Sequence, residues 1–189
     1  MFLAADADQP ACLNKVTAAL DLIQSVAPTQ LARMRRLFGG ILVFPVDSDA
    51  LAVWRQDLDA CLLKTSWMLS EDTTPEAVAS CIIHELMHAR LDAAGFLYNG
   101  STRARVERIC ALAERNFVRR LPLSDARTDL EEAIADHLAI EPSFWTDEAV
   151  QARARNARRS WPLWQRALFG LAQALRRIWL VRGGNLTRS

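Results

Sequence analysis

Apolar residues recur along much of this chain at the spacing of a helix, three and four positions apart. This spacing predicts helices over residues 11–27, 29–38, 75–94, 101–121 and 125–140. Pro28 separates the first two, and Gly39 follows the second, since proline suits a helix start and glycine a helix end. Thr74 before Pro75 can cap the third helix, and Gly95 can end it.

Two shorter segments have the character of strands. Residues 41–46 form a short apolar run, and residues 61–69 place alternate side chains, from Leu63 to Leu69, on one face. The second segment comes just before the helix predicted at 75–94. Together these elements predict an α+β fold that is mostly helical, with a small N-terminal β-sheet.

The helix predicted at 75–94 carries the most informative motif of the chain, His84-Glu85-Leu86-Met87-His88. Residues four apart lie on one face of a helix, so both imidazoles can reach one metal ion. Glu85 follows His84 directly, where a carboxylate can take a proton from an attacking water. Many of the other residues of this helix are apolar, and a buried helix must supply partners for its polar groups. A metal would be such a partner; the alternative is a hydrogen-bonded histidine pair in the core.

A catalytic zinc site usually has three protein ligands, so the chain must supply one more. The next predicted helix has an apolar stripe bordered by Glu107 and Glu114. These two residues are seven positions apart and therefore lie on similar faces of the helix. From the residues alone, either carboxylate could face the metal.

HELMH, followed after 18 residues by Glu107, resembles the gluzincin metallopeptidases, a group of zincins. Their pattern is HExxH, a spacer of about 18 to 20 residues and a glutamate on the next helix. The resemblance implies one Zn²⁺ ion per chain, held by His84, His88 and Glu107, and Glu85 as the catalytic base. It also implies a peptide or protein substrate, and it favours Glu107 over Glu114.

The resemblance covers residues 75–120, about a quarter of the chain, and this sequence departs from the gluzincin pattern at some positions. Ala111 occupies the position where an aspartate would follow the glutamate. Leu91 and Ala94 exclude the metzincin pattern, which needs a glycine and a third histidine there. The implied protein is a minimal, divergent, bacterial zincin-like domain, with an active-site helix followed by a ligand helix. The strand at 61–69 would then be the sheet edge that binds an extended peptide.

Further polar residues are candidates for supporting roles. Tyr98 and His137 could stabilise the oxyanion; the alternatives are a half-buried loop aromatic and a surface histidine. Glu131, Glu132 and Asp136 could accept hydrogen bonds from the ligand imidazoles, or could simply face solvent.

The cysteines, at positions 12, 61, 81 and 110, lack disulfide-type spacing and indicate free thiols in a reducing compartment. Cys81 and Cys110 are each three residues from a candidate ligand, and we expect packing roles for both. The N-terminus lacks the features of a secretory leader, so we expect a cytoplasmic protein that could be peripheral to a membrane.

The charge of the chain is strongly divided. Residues 149–189 contain nine arginines and no acidic residue, whereas residues 1–148 have 14 basic and 22 acidic side chains, a net charge of −8. Residues 161–182 predict a basic amphipathic helix rich in Trp and Leu. We expect a zincin-like domain at 1–148 and a C-terminal helical extension at 149–189, packed on that domain.

Instead of packing on the domain, the predicted C-terminal helix could bind a partner. Such a helix can bind an anionic membrane surface or an acidic protein partner, with nucleic acid the least favoured partner. The alternative function is therefore a non-enzymatic protein, or a dedicated regulatory or effector protein of zincin fold, that docks through this extension.

Overall fold

The structure of this chain is a computed structural model that describes residues 2–4, 9–46 and 50–159. The elements are β1 (Phe2–Ala4), α1 (Gln9–Val26), α2 (Pro28–Leu37), β2 (Gly40–Phe44), β3 (Ala52–Arg55), β4 (Ala60–Lys64), α3 (Thr65–Met68), α4 (Pro75–Ala93), α5 (Arg103–Val118), α6 (Asp125–Ala139) and α7 (Asp147–Arg159). Short 3-10 turns occur at Gln56–Leu58 and Pro142–Trp145. The predicted α+β, mostly helical fold is confirmed.

The strands form one sheet in the order β1-β2-β4-β3. β1, β2 and β4 run parallel, and β3 pairs antiparallel with β4, with Trp54 opposite Cys61. The first four residues of β4 are buried, as expected of an inner strand with covered faces. β3 is therefore an edge of the sheet, next to the helix that carries the HExxH motif.

The strand predicted at 61–69 is wrong in its second half. β4 ends at Lys64, and Thr65–Met68 forms the short helix α3, with Met68 buried and Leu69 exposed. Short apolar runs fit both periodicities, so alternation over a few residues could not distinguish them. The segment is also not at an edge of the sheet: the edge strands are β1 and β3, which the sequence pattern did not reveal.

The start and end of α4 follow the predicted signals. The Thr74 hydroxyl accepts a hydrogen bond from the backbone N–H of Ala77 at 3.2 Å, and Pro75 is the first helical residue. Gly95 has a φ of +80°, the left-handed conformation that glycine adopts without strain. The N–H of Phe96 donates to the Leu91 carbonyl at 2.9 Å, closing the helix.

α4 is the central element of the domain. It packs against α1 on one side and α5 on another, and it also contacts β3, α2 and α6. Its apolar residues Val78, Ile82 and Leu86 are almost completely buried in the core shared with α1 and the sheet. This packing fixes the helix whose remaining face carries His84 and His88.

The predicted C-terminal helix at 161–182 lies outside the described residues. α7 begins at Asp147 and so crosses the expected boundary between 148 and 149; the division into domain and extension stays a prediction. In the part of the chain that the structure describes, no helix combines the length and apolar character needed to cross a bilayer.

Candidate metal centre

The motif histidines meet a carboxylate from the next helix. His84 and His88 project from α4 with ring centroids 5.1 Å apart. Glu107 from α5 lies beside both: its Oε2 is 3.3 Å from His84 Nε2 and its Oε1 is 3.6 Å from His88 Nε2. The three side chains therefore meet between the two helices. The family resemblance had favoured Glu107 over Glu114 for this place.

Glu114, the other candidate ligand, has a different position. Its Oε2 is 2.9 Å from Nδ1 of His84, on the side of the ring away from Glu107, and its Oε1 accepts a 2.7 Å hydrogen bond from Ser80. Glu114 can hold the proton of His84 on Nδ1, which directs the Nε2 lone pair toward Glu107 and His88. Carboxylates behind metal-binding histidines commonly have this orienting role.

We expect Glu114→Gln to weaken metal binding by about 10–100-fold, the usual effect of losing such a hydrogen-bond partner. The amide can present its NH₂ to Nδ1 and so favour the wrong tautomer of His84. A competitive chelator titration would measure the dissociation constant. Glu132→Gln, an exposed change on α6, is the matched control; equal affinities for the two variants would contradict the orienting role.

The charges of the site stabilise one another in the absence of a metal. Burial by itself would lower the pKa of His84, but hydrogen bonds with Glu107 and Glu114 raise it well above its ordinary value. Burial would likewise raise the pKa of Glu107, but the hydrogen bonds and positive charges of His84 and His88 hold it far below the ordinary value. Glu107 can thus face either a protonated imidazole or a cation that takes the place of that proton.

Glu85 is buried and points toward the sheet edge. Its Oε2 accepts a 2.5 Å hydrogen bond from the backbone N–H of Trp54 in β3. Trp54 is itself held in place, because its ring stacks on Phe38 at 5.2 Å and its Nε1 donates to Asp92 at 3.3 Å. The carboxylate that follows His84 is therefore held against the edge strand β3.

Tyr98 lies at the site, as the sequence suggested it could. Its hydroxyl donates to Glu107 Oε1, and its ring meets His88 edge-on at a centroid distance of 5.3 Å. The Arg103 guanidinium lies 5.1 Å from the ring centroid. Burial and the negative charge of Glu107 raise the pKa of Tyr98, so the phenol remains a proton donor at neutral pH.

His137, on α6, also reaches the site. Its Nε2 is 3.8 Å from Glu107 Oε2 and makes no hydrogen bond with the described residues, although this atom is buried. Its ring stacks on Trp145 at 5.5 Å. Burial and the neighbouring His84 lower the pKa of His137, which favours the neutral ring. A cavity of about 250 Å³ lies beside Glu107, His137 and Trp145.

Glu131, Glu132 and Asp136, weighed above as acceptors or as solvent-facing residues, do not accept hydrogen bonds from the ligand imidazoles among the described contacts. Glu132 and Asp136 are exposed, and Glu131 pairs with Arg127 at 3.0 Å. Glu114 is the acceptor instead. The contact of Trp145 with His137 could not be predicted from the sequence, because it depends on how the Pro142–Trp145 turn folds back onto α6.

Cys110 also lies near the motif histidines. Ligand atoms of His84, His88 and Cys110 all lie within 4.8 Å of one another. The thiol is completely buried, and burial together with the charge of Glu107 raises its pKa. The described residues therefore contain a group of side chains that could hold a metal ion.

Comparison with known proteins adds no relative. No protein-family model, no curated protein and no solved structure matches this chain. The interpretation of the site therefore depends on its residues and their geometry.

Proposed function

We propose that this protein is a zinc-dependent metallopeptidase of the zincin type. The observation that carries the proposal is the position of the Glu107 carboxylate, 3.3 Å from His84 Nε2 and 3.6 Å from His88 Nε2. Two imidazoles and one carboxylate are a ligand set typical of catalytic zinc. Glu85 lies next to this set rather than within it, as a general base must.

The chemistry of these donors fits zinc. The hydrogen bond between His84 Nδ1 and Glu114 leaves Nε2 free to coordinate, and Glu107 is an anion under ordinary conditions. Zinc would be held by His84, His88 and Glu107, one ion per chain. When bound, it would lower the pKa of water and polarise the scissile carbonyl.

Glu85 would take a proton from the attacking water and deliver it to the leaving amine nitrogen. Its hydrogen bond with the Trp54 N–H places it beside β3. In the part of the chain that the structure describes, no strand covers the outer edge of β3. Its backbone groups other than the Trp54 N–H could pair with an extended peptide, which would bring a peptide bond to this carboxylate. The Tyr98 hydroxyl and a His137 Nε2–H are donors that could stabilise the oxyanion.

The metal requirement tests this proposal. We expect purified protein to contain one zinc ion per chain by elemental analysis. A chelator should remove zinc together with hydrolysis of a mixed peptide library, and added zinc should restore both. Absence of bound metal after zinc is supplied would overturn the proposal.

The same assay separates general proteolysis from the alternative of a dedicated regulatory or effector protein. One bound zinc ion with no cleavage of any library peptide would favour that alternative. The extension expected to dock such a partner, residues 149–189, is described only as far as residue 159.

A further inference from the structure

We propose that Cys110 is a fourth protein ligand of the metal, so that the site rests in a closed form with His84, His88, Glu107 and the Cys110 thiolate around one ion. This inference depends on the metal site of the proposed function and concerns its regulation. A catalytic zinc site keeps one position open for water, whereas four protein ligands close it. Transient release of Cys110 would then make the site competent, so the wild type would hydrolyse peptides, but more slowly than a site that is always open.

The placement of Cys110 on α5 supports this assignment. Glu107, Cys110 and Glu114 are at positions i, i+3 and i+7 and share the face of α5 that packs against α4. The thiol therefore points toward the same histidines as the two carboxylates.

The distances support it as well. Ligand atoms of Cys110, His84 and His88 lie within 4.8 Å of one another. With Zn–N bonds of about 2.0 Å and Zn–S bonds of about 2.3 Å, two tetrahedral ligands are about 3.6 Å apart. Side-chain adjustment of about 1 Å would therefore bring these three ligand atoms to coordination distance. Glu107 is not part of this group, but its carboxylate lies 3.3 and 3.6 Å from the same two histidines.

The surroundings of the thiol favour a ligand over a packing residue. Cys110 is fully buried beside the carboxylate of Glu107, and none of the described hydrogen bonds involves its sulfur. Cys81, on α4, is only partly buried and does not belong to the cluster. Cys110 would lose its proton to solvent on binding the ion, and a water would replace the sulfur when the site opens.

Cobalt substitution tests the inference directly, because a thiolate bound to Co²⁺ gives an intense ligand-to-metal charge-transfer band that imidazole and carboxylate do not give. Chelator-stripped protein would be titrated with Co²⁺ and followed by absorption. We expect the band in wild type and in Cys81→Ser, and its loss in Cys110→Ser. Circular dichroism would confirm that both variants are folded.

The outcomes separate this inference from the proposed function. Stoichiometric Co²⁺ binding without the charge-transfer band would overturn the role of Cys110 and leave the metal site intact. No Co²⁺ binding by the wild type would overturn both. If the band persists in Cys110→Ser, the sulfur ligand belongs to another cysteine, and the inference about Cys110 is rejected. If Cys110→Ser does not fold, absence of the band in the wild type still overturns the inference.

A second measurement examines the closed state. We expect Cys110→Ala to bind zinc at least about tenfold more weakly than wild type and to hydrolyse the peptide library faster once zinc is saturating. Cys81→Ala is the control and should match wild type in both. Unchanged zinc affinity in Cys110→Ala would contradict coordination by this thiol.

Discussion

Glu85→Gln is expected to lower the rate of peptide hydrolysis by about 10²–10⁴-fold while leaving the zinc content unchanged. Glutamine has the size of glutamate, and its carbonyl oxygen can still accept the hydrogen bond from the Trp54 N–H. It cannot take a proton from water. The fold and the ligands should thus survive, and only the base is lost.

This effect would be measured as kcat on a cleaved library peptide, with zinc determined on the same samples. Glu76→Gln makes the same chemical change in the first turn of the same helix and serves as the control. Hydrolysis by Glu85→Gln at the rate of Glu76→Gln would reject Glu85 as the base. Loss of zinc from Glu85→Gln would show that this carboxylate helps to hold the metal instead.

Glu107→Ala is expected to weaken zinc binding by more than about 100-fold, beyond the usual effect of losing an outer hydrogen-bond partner. The reason is its place in the site, since among the described residues Glu107 is the one carboxylate in contact with Nε2 of both motif histidines. The substitution also leaves the Tyr98 hydroxyl without its acceptor. The dissociation constant from chelator competition would measure the loss.

Glu131→Ala, on α6 and away from the histidines, is the control for removing a carboxylate. Comparison with Glu114→Gln ranks the two candidate ligands within one assay. A larger loss of zinc affinity in Glu114→Gln than in Glu107→Ala would make Glu114 the metal ligand and Glu107 the residue that orients His84. Thermal unfolding of the metal-free variants would separate loss of a ligand from loss of the fold.

Local signals in the sequence were enough to predict most helices. The cap at Thr74, Pro75 and the left-handed Gly95 define α4 within one residue of its predicted range of 75–94, because these residues act on the backbone next to them. The same helix sets the spacing of His84 and His88, so the convergence of two imidazoles follows from the sequence alone. The helices at 103–118 and 125–139 also lie within their predicted ranges.

The strands were harder to predict because they depend on pairing. β3 has four residues, and nothing in Ala-Val-Trp-Arg marks it as a sheet edge until β4 lies beside it. The alternation at 61–69 suggested one long strand, but the chain turns into α3 after Lys64. The hydrogen bond from Trp54 to Glu85 joins residues 31 positions apart, beyond the reach of any local pattern.

The sequence by itself determined five of the longer helices, the histidine pair and the presence of two acidic residues on one face of α5. Only the tertiary structure decided which of these acids lies at the metal side of His84. Glu107 and Glu114 are seven residues apart, about 10 Å along the helix, so the way α5 crosses α4 sends one to Nε2 and the other to Nδ1. The crossing also brings Cys110 toward the histidines, because helix packing is set by the whole buried surface rather than by any one residue.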